Sequence, residues 1–126
     1  MEPKKILIID DTKDLADTLA EVVSFKGYQS IVATNGADGI ETALREHPDL
    51  ILLDIRMPDI DGFEVLRRIR KDEWGKTAKI VFLTASVSYD EVPTDLNVDK
   101  SDFLLKTQWG MGNITKKIEE KLAEAS

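Results

Sequence analysis

Five short apolar runs punctuate the chain, at residues 5–10, 29–33, 50–54, 80–84 and 103–106, with helically periodic stretches between most of them. Three of the runs are nearly continuous in aliphatic side chains and do not alternate with polar ones. A strand solvated on one face alternates; a continuous one is covered on both faces, as in a parallel sheet with crossover helices on either side. Five strand–helix alternations with right-handed crossovers predict a doubly wound α/β sheet with helices on both faces. A chain of 126 residues favours the five-stranded order 2-1-3-4-5 over a six-stranded arrangement.

The intervening stretches carry their own start and stop signals. Residues 14–25 place Leu15, Leu19, Val22 and Val23 on one helical face, with Gly27 where a left-handed cap belongs and Asp11 or Thr12 able to cap the start. Ala37, Ile40, Ala43 and Leu44 mark a second helix that His47-Pro48 ends, because proline disfavours helical geometry in the residue before it. A third runs over 62–71 with Val65, Leu66 and Ile69 inward, and the last over 111–125 with Ile114, Ile118 and Leu122 spaced by four. Residues 86–100 are polar and contain Pro93, so a short or broken helix is expected there. With no low-complexity stretch or long linker, residues 1–126 are expected to form a single domain.

Composition narrows the chemistry. The absence of cysteine excludes disulfides, thiolate metal sites and a cysteine nucleophile. The apolar runs are far shorter than the roughly 18 residues a membrane span requires, and the expected location is the cytoplasm. Seventeen Lys and Arg against 24 Asp and Glu give a net charge of −7, a field that repels phosphate backbones and anionic lipid. Neither nucleic acid nor a membrane is expected as a direct partner.

The acids become informative through their positions. Asp10 and Asp11 close the first strand, Asp54 the third, Thr84 the fourth and Lys106 the fifth. In a parallel sheet these ends share one edge, where open α/β folds bind ligands beside the topological switch point. Crowded carboxylates raise one another's pKa unless a cation neutralises them, and a hard divalent ion such as Mg2+ suits an all-oxygen shell; zinc would want Cys or clustered His. A lysine ending a buried strand needs a charge partner, which Asp54 or a phosphate on it would supply. The set contains what phosphoryl transfer requires: a carboxylate nucleophile, a metal, and donors for the equatorial oxygens.

The ordered motifs Asp10-Asp11 after residues 6–9, Leu52-Leu53-Asp54-Ile55-Arg56-Met57-Pro58-Asp59-Ile60-Asp61-Gly62, Leu83-Thr84-Ala85 and Phe103-Leu104-Leu105-Lys106 resemble those of response-regulator receiver domains of two-component signalling, of the chemotaxis type with a flavodoxin-like sheet. The resemblance implies Asp54 as phospho-acceptor, Asp11 as a direct Mg2+ ligand, Asp10 as a ligand mainly through water, and the Arg56 backbone carbonyl as a further metal contact. It implies that Thr84 binds the phosphoryl group, that Lys106 pairs with Asp54 or its phosphate, and that Phe103 is the switch aromatic. The implied donor is a phosphohistidine on a sensor histidine kinase or a histidine phosphotransfer protein, and the implied output is changed affinity for a downstream protein. Such a domain assists its own phosphorylation and dephosphorylation and is not an enzyme with a separate substrate.

Two departures stand out. Thr107 replaces the proline that usually follows the lysine, predicting a trans peptide and a shifted loop, since a cis bond before a non-proline residue costs about 2.5–4 kcal/mol. Asp99-Lys100-Ser101 replaces the usual small turn before the fifth strand, and Pro93 interrupts the preceding segment, so the face built from the fourth helix, fifth strand and final helix transfers least well.

Blander readings compete. Asp10-Asp11 alone could cap a helix, Asp59 and Asp61 suit turn and capping roles, and His47 suits a solvated helix end. The arginines at 67, 68 and 70 complement the third helix's dipole, and Trp109 could pack on the final helix or shape a partner surface. A pseudo-receiver that binds partners without phosphorylation is the alternative function. An aspartate-nucleophile phosphohydrolase would want an acid where Arg56 stands, and a flavin carrier would want a phosphate-cradling loop where Asp10 to Asp14 place acids.

Overall fold

Alternate residues of the central strands point into two separate apolar layers, and that division organises the molecule. The structure, a computed structural model, describes residues 3–84, 89–105 and 111–124. Five parallel strands, β1 (Lys5–Ile9), β2 (Gln29–Ala33), β3 (Leu50–Asp54), β4 (Ile80–Thr84) and β5 (Phe103–Leu105), form one sheet in the order β2-β1-β3-β4-β5. The predicted order and parallel pairing are therefore observed.

Among the described residues four α-helices cover the sheet: α1 (Lys13–Phe25), α2 (Gly36–Glu46), α3 (Gly62–Arg70) and α4 (Met111–Ala123). Leu7, Ile9, Ile51, Leu53, Ile80 and Phe82 face α2 and α3, meeting Ala43, Val65, Leu66 and Ile69. Ile6, Ile8, Leu50, Leu52, Val81 and Leu83 face α1 and α4, meeting Ala16, Leu19, Val23, Ile114 and Ile118. Each fully buried aliphatic side chain contributes about 1.5–3 kcal/mol, and continuous rather than alternating strands result because both faces are buried.

Helix ends follow local chemistry. Gly27 lies at φ +93° just beyond α1, and His47 takes the left-handed conformation after α2. Asn35 caps α2 and Asp61 caps α3, each side chain accepting a backbone N–H three residues on. Thr12 occupies the N-cap position of α1 but makes no side-chain capping bond. Ala37, expected to mark the inner side of α2, is exposed; Gly36, Gly39 and Ala43 face inward because the helix lies too close to its neighbours for larger side chains. No helix among the described residues is long and apolar enough to cross a membrane.

Where a short or broken helix is expected over 86–100, the described residues from 89 onward are broken into 3-10 turns. Three 3-10 turns stand there, Tyr89–Glu91, Thr94–Leu96 and Lys100–Asp102, with no α-helix among the described residues of that stretch. Pro93 cannot donate an amide and pushes Val92 out of helical geometry; Asn97 at φ +51° then reverses the chain, and Asp99 caps the last turn by accepting from the Ser101 amide. Tertiary contacts hold this strap in place. Arg67 makes two hydrogen bonds to the Asp95 carboxylate, and the Tyr89 hydroxyl donates to the Val98 carbonyl at 2.8 Å.

Candidate functional site

The C-terminal ends of the strands bring acids from β1 and β3 together. Ile9 pairs with Leu53, so Asp10 continues the register to stand beside Asp54. The Asp10 amide donates to the Ala33 carbonyl at 3.1 Å, extending the pairing with β2, and its Oδ1 accepts from the Thr12 amide at 2.9 Å. That second bond turns the chain sharply into α1 and leaves Asp11 exposed at the rim. Carboxylate oxygens of Asp10, Asp11 and Asp54 lie within 4.8 Å of one another.

Burial differs across the set in a way that matters. Asp10 is 1% exposed, Asp54 5% and Thr84 fully buried, so two acids sit at the floor of the hollow and one at its mouth. Asp54 is opposite Leu83 in β4, which places Thr84 one residue further along the same edge. Thr84 in turn pairs with Leu105. Lys106, Thr107 and Trp109 lie outside the described residues, as do Ala85 and Ser86.

The loop after Asp54 is closed tightly. The Gly62 amide donates to the Ile55 carbonyl at 2.8 Å, and a Cβ at residue 62 would overlap the Asp54 carbonyl oxygen, so only glycine permits this approach. Arg56 is exposed on this loop. Asp59 reaches α2: its two oxygens accept from the Gly36 and Ala37 amides at 3.0 and 2.9 Å. Those amide bonds, Ala37's first, hold the Asp59 carboxyl below its usual range.

Phe103 is half-buried in a row of aromatic rings. Its centroid lies 6.2 Å from Phe82 and 6.1 Å from Tyr89, and Phe82 meets Phe63 edge-on at 5.4 Å. Sequence reasoning missed Tyr89 because it falls in the strap, where no periodicity marks a neighbour of β5. His47 sits exposed at a helix end as expected, and also stacks on Trp74 at 4.6 Å.

Three carboxylates of this spacing suit a hard divalent cation: all donors are oxygens, two are fixed by strand register, and the third is open to solvent for water ligands. The donor set therefore fits Mg2+. The sequence matches the response regulator receiver domain family over residues 6–119. The chain belongs to that family. It is 35% identical to the response regulator MprA of Mycobacterium leprae over 102 residues, 81% of this chain and 44% of that protein. This receiver thus spans less than half the length of that curated relative.

Solved structures agree with the fold. A CheY-like receiver domain protein from Methanospirillum hungatei superposes with a TM-score of 0.85 at 27% identity, covering 96% of this chain and 94% of the other. The Thermotoga maritima response regulator TrrA, solved in complex with Mg(2+)-BeF, gives a TM-score of 0.80 at 32% identity over 93% of this chain and 97% of its own. Receiver domains are signalling domains that bind Mg2+ at an acidic site and interact with histidine kinases or phosphotransfer proteins.

Proposed function

We propose that residues 1–126 act as one phosphorylation-driven switch in the cytoplasm, accepting a phosphoryl group on Asp54 from a phosphohistidine donor. The convergence of the Asp10, Asp11 and Asp54 carboxylates within 4.8 Å carries this reading. Asp10, Asp11, Asp54 and the Arg56 backbone carbonyl are assigned to hold Mg2+. The ion, when bound, screens the acids from one another and neutralises charge on the transferred group.

Asp54 contributes the attacking carboxylate oxygen, which forms a new P–O bond as the donor's P–N bond breaks and its electron pair leaves with the imidazole. Burial at the end of β3 orients that oxygen and limits its freedom. Thr84 offers a hydroxyl donor to an equatorial phosphoryl oxygen, and Lys106 the opposing positive charge. When Thr84 turns toward the phosphoryl group, Phe103 takes up the space released, and the surface around β5 presents a different face to a downstream protein. The partner classes are a sensor histidine kinase or histidine phosphotransfer protein on one side and a downstream protein on the other.

Incubation with Mg2+ and acetyl phosphate followed by intact mass measurement tests the proposal. One added phosphoryl group, absent in Asp54→Asn, is the expected result. No addition with acetyl phosphate or phosphoramidate would favour the pseudo-receiver.

A further inference from the structure

The seven residues between Asp54 and α3 are secured at two points. One is the closure already described, where the Gly62 amide meets the Ile55 carbonyl and the glycine presses on the Asp54 carbonyl oxygen. The other lies on a different helix. Asp59 reaches 22 and 23 residues back along the chain to accept two amides of the first turn of α2, one on each carboxylate oxygen. The adjoining Ile60 lies so close beneath Gly36 that a Cβ there would overlap its side chain and come within 3.0 Å of a Val65 methyl.

Asn35 supplies the local cap of α2 by accepting from the Asp38 amide at 2.8 Å, and Asp59 takes the Gly36 and Ala37 amides that this cap leaves. The Ala37 amide is exposed and open to water as an alternative acceptor, whereas Gly36 is buried. What Asp59 adds is a fixed distance between α2 and the loop. Between the two anchors lie Arg56, Met57 and Pro58: Met57 packs against the core on the α2–α3 side, and proline fixes its own φ. The backbone at Arg56 is therefore held from both ends, although its side chain is exposed.

We infer that Asp59 is a positioning residue for the metal site: by gripping α2 it sets the 55–61 loop so that the Arg56 carbonyl faces the acidic hollow. The inference rests on the reading of that hollow as a Mg2+ site. Arginine 56 then serves through its backbone, and the helix that sets it is one that supplies no side chain to the site.

The test is Mg2+ titration followed by amide chemical shifts, with thermal melting without Mg2+ recorded alongside. Asp59→Ala is expected to weaken Mg2+ binding about tenfold, the scale of losing a residue that supports a metal ligand. Asp59→Asn, which keeps one acceptor, should fall between it and the parent protein, and provides the measurement if the alanine variant folds poorly. Asn35→Ala removes the local cap of the same helix, so it should lower the melting temperature while leaving Mg2+ affinity unchanged. Asp38→Asn removes a neighbouring charge without touching the loop, and should also leave the affinity unchanged. Parental affinity in both Asp59 variants, or an equal loss in Asn35→Ala or Asp38→Asn, overturns the inference while leaving the Mg2+ site intact. No Mg2+ response in the parent protein overturns the site reading, and the inference with it.

Discussion

Lys121 and Asp102 form a sequestered ion pair, Nζ to Oδ1 2.8 Å, with side chains only 9% and 16% exposed. Glu124 approaches the same ammonium at 3.0 Å. The pair joins the end of α4 to the 3-10 turn that leads into β5. Removing Asp102 leaves the half-hidden ammonium with Glu124 as its remaining partner, so Asp102→Ala should cost about 2 kcal/mol in urea denaturation. Replacing both partners with apolar residues should cost much less.

The same pair sets an alkaline limit. Burial favours the neutral amine of Lys121, but the hydrogen bonds it donates to Asp102 and Glu124, with their negative charge, outweigh it and leave the ammonium pKa above its usual 10.5. A raised folded-state pKa contributes stability that is complete below the unfolded value and lost as pH rises through the folded one. Denaturation midpoints should therefore fall above about pH 10.5, and more steeply in the parent than in Lys121→Met.

Gly62→Ala sets a methyl group against backbone and not against a yielding side chain. Overpacking of this kind costs about 1–3 kcal/mol. Because the clash falls on the Asp54 carbonyl, the variant should also accept phosphoryl groups from acetyl phosphate more slowly than the parent, as read by mass.

Asp54→Asn removes one of three mutually repelling carboxylates. Without Mg2+ it should melt about 4 °C higher, equivalent to about 1 kcal/mol for a domain of this length. Added Mg2+ should raise the parent's melting temperature and leave the variant's nearly unchanged. A lower melting temperature in the variant without Mg2+ would show that repulsion does not govern this hollow.

The strap from Tyr89 to Asp102 should loosen as a unit. Tyr89→Phe removes the bond to Val98 and Arg67→Met removes the two bonds to Asp95, each costing about 1 kcal/mol or less. Faster amide hydrogen exchange confined to residues 89–102 is expected in both. The Arg67 hydrogen bonds hold the Asp95 carboxyl below its usual 3.8, so the strap's link to α3 persists above that pH and is lost as pH falls through the depressed value.

Much of the architecture was legible in the sequence because the strands are continuous in Ile, Leu and Val and end in acids. Asp10, Asp11 and Asp54 were placed from those ends, and strand register brings them together. The strap was not legible, because its turns are fixed by contacts with Arg67 and within its own loop, and neither leaves a periodic trace. The inward burial of Lys121 was hidden for a related reason: on a charged helix it looks solvated until its partner before β5 is known. Local spacing suggests a turn or capping role for Asp59, but the helix whose amides it accepts lies upstream across the fold, which spacing cannot reveal.

The two-sided greasiness of β1 and β3 also bears on how they find their alignment. Sliding either strand by one residue would still put most of its aliphatic side chains into the two layers, so hydrophobicity alone is a poor judge between adjacent alignments. An inward slide would, however, drag Asp10 or Asp54 into the greasy interior, where an ionised group costs several kcal/mol even after relaxation. The acids thus serve as end-stops during assembly, and a chain stripped of them would have to find its place by shape alone.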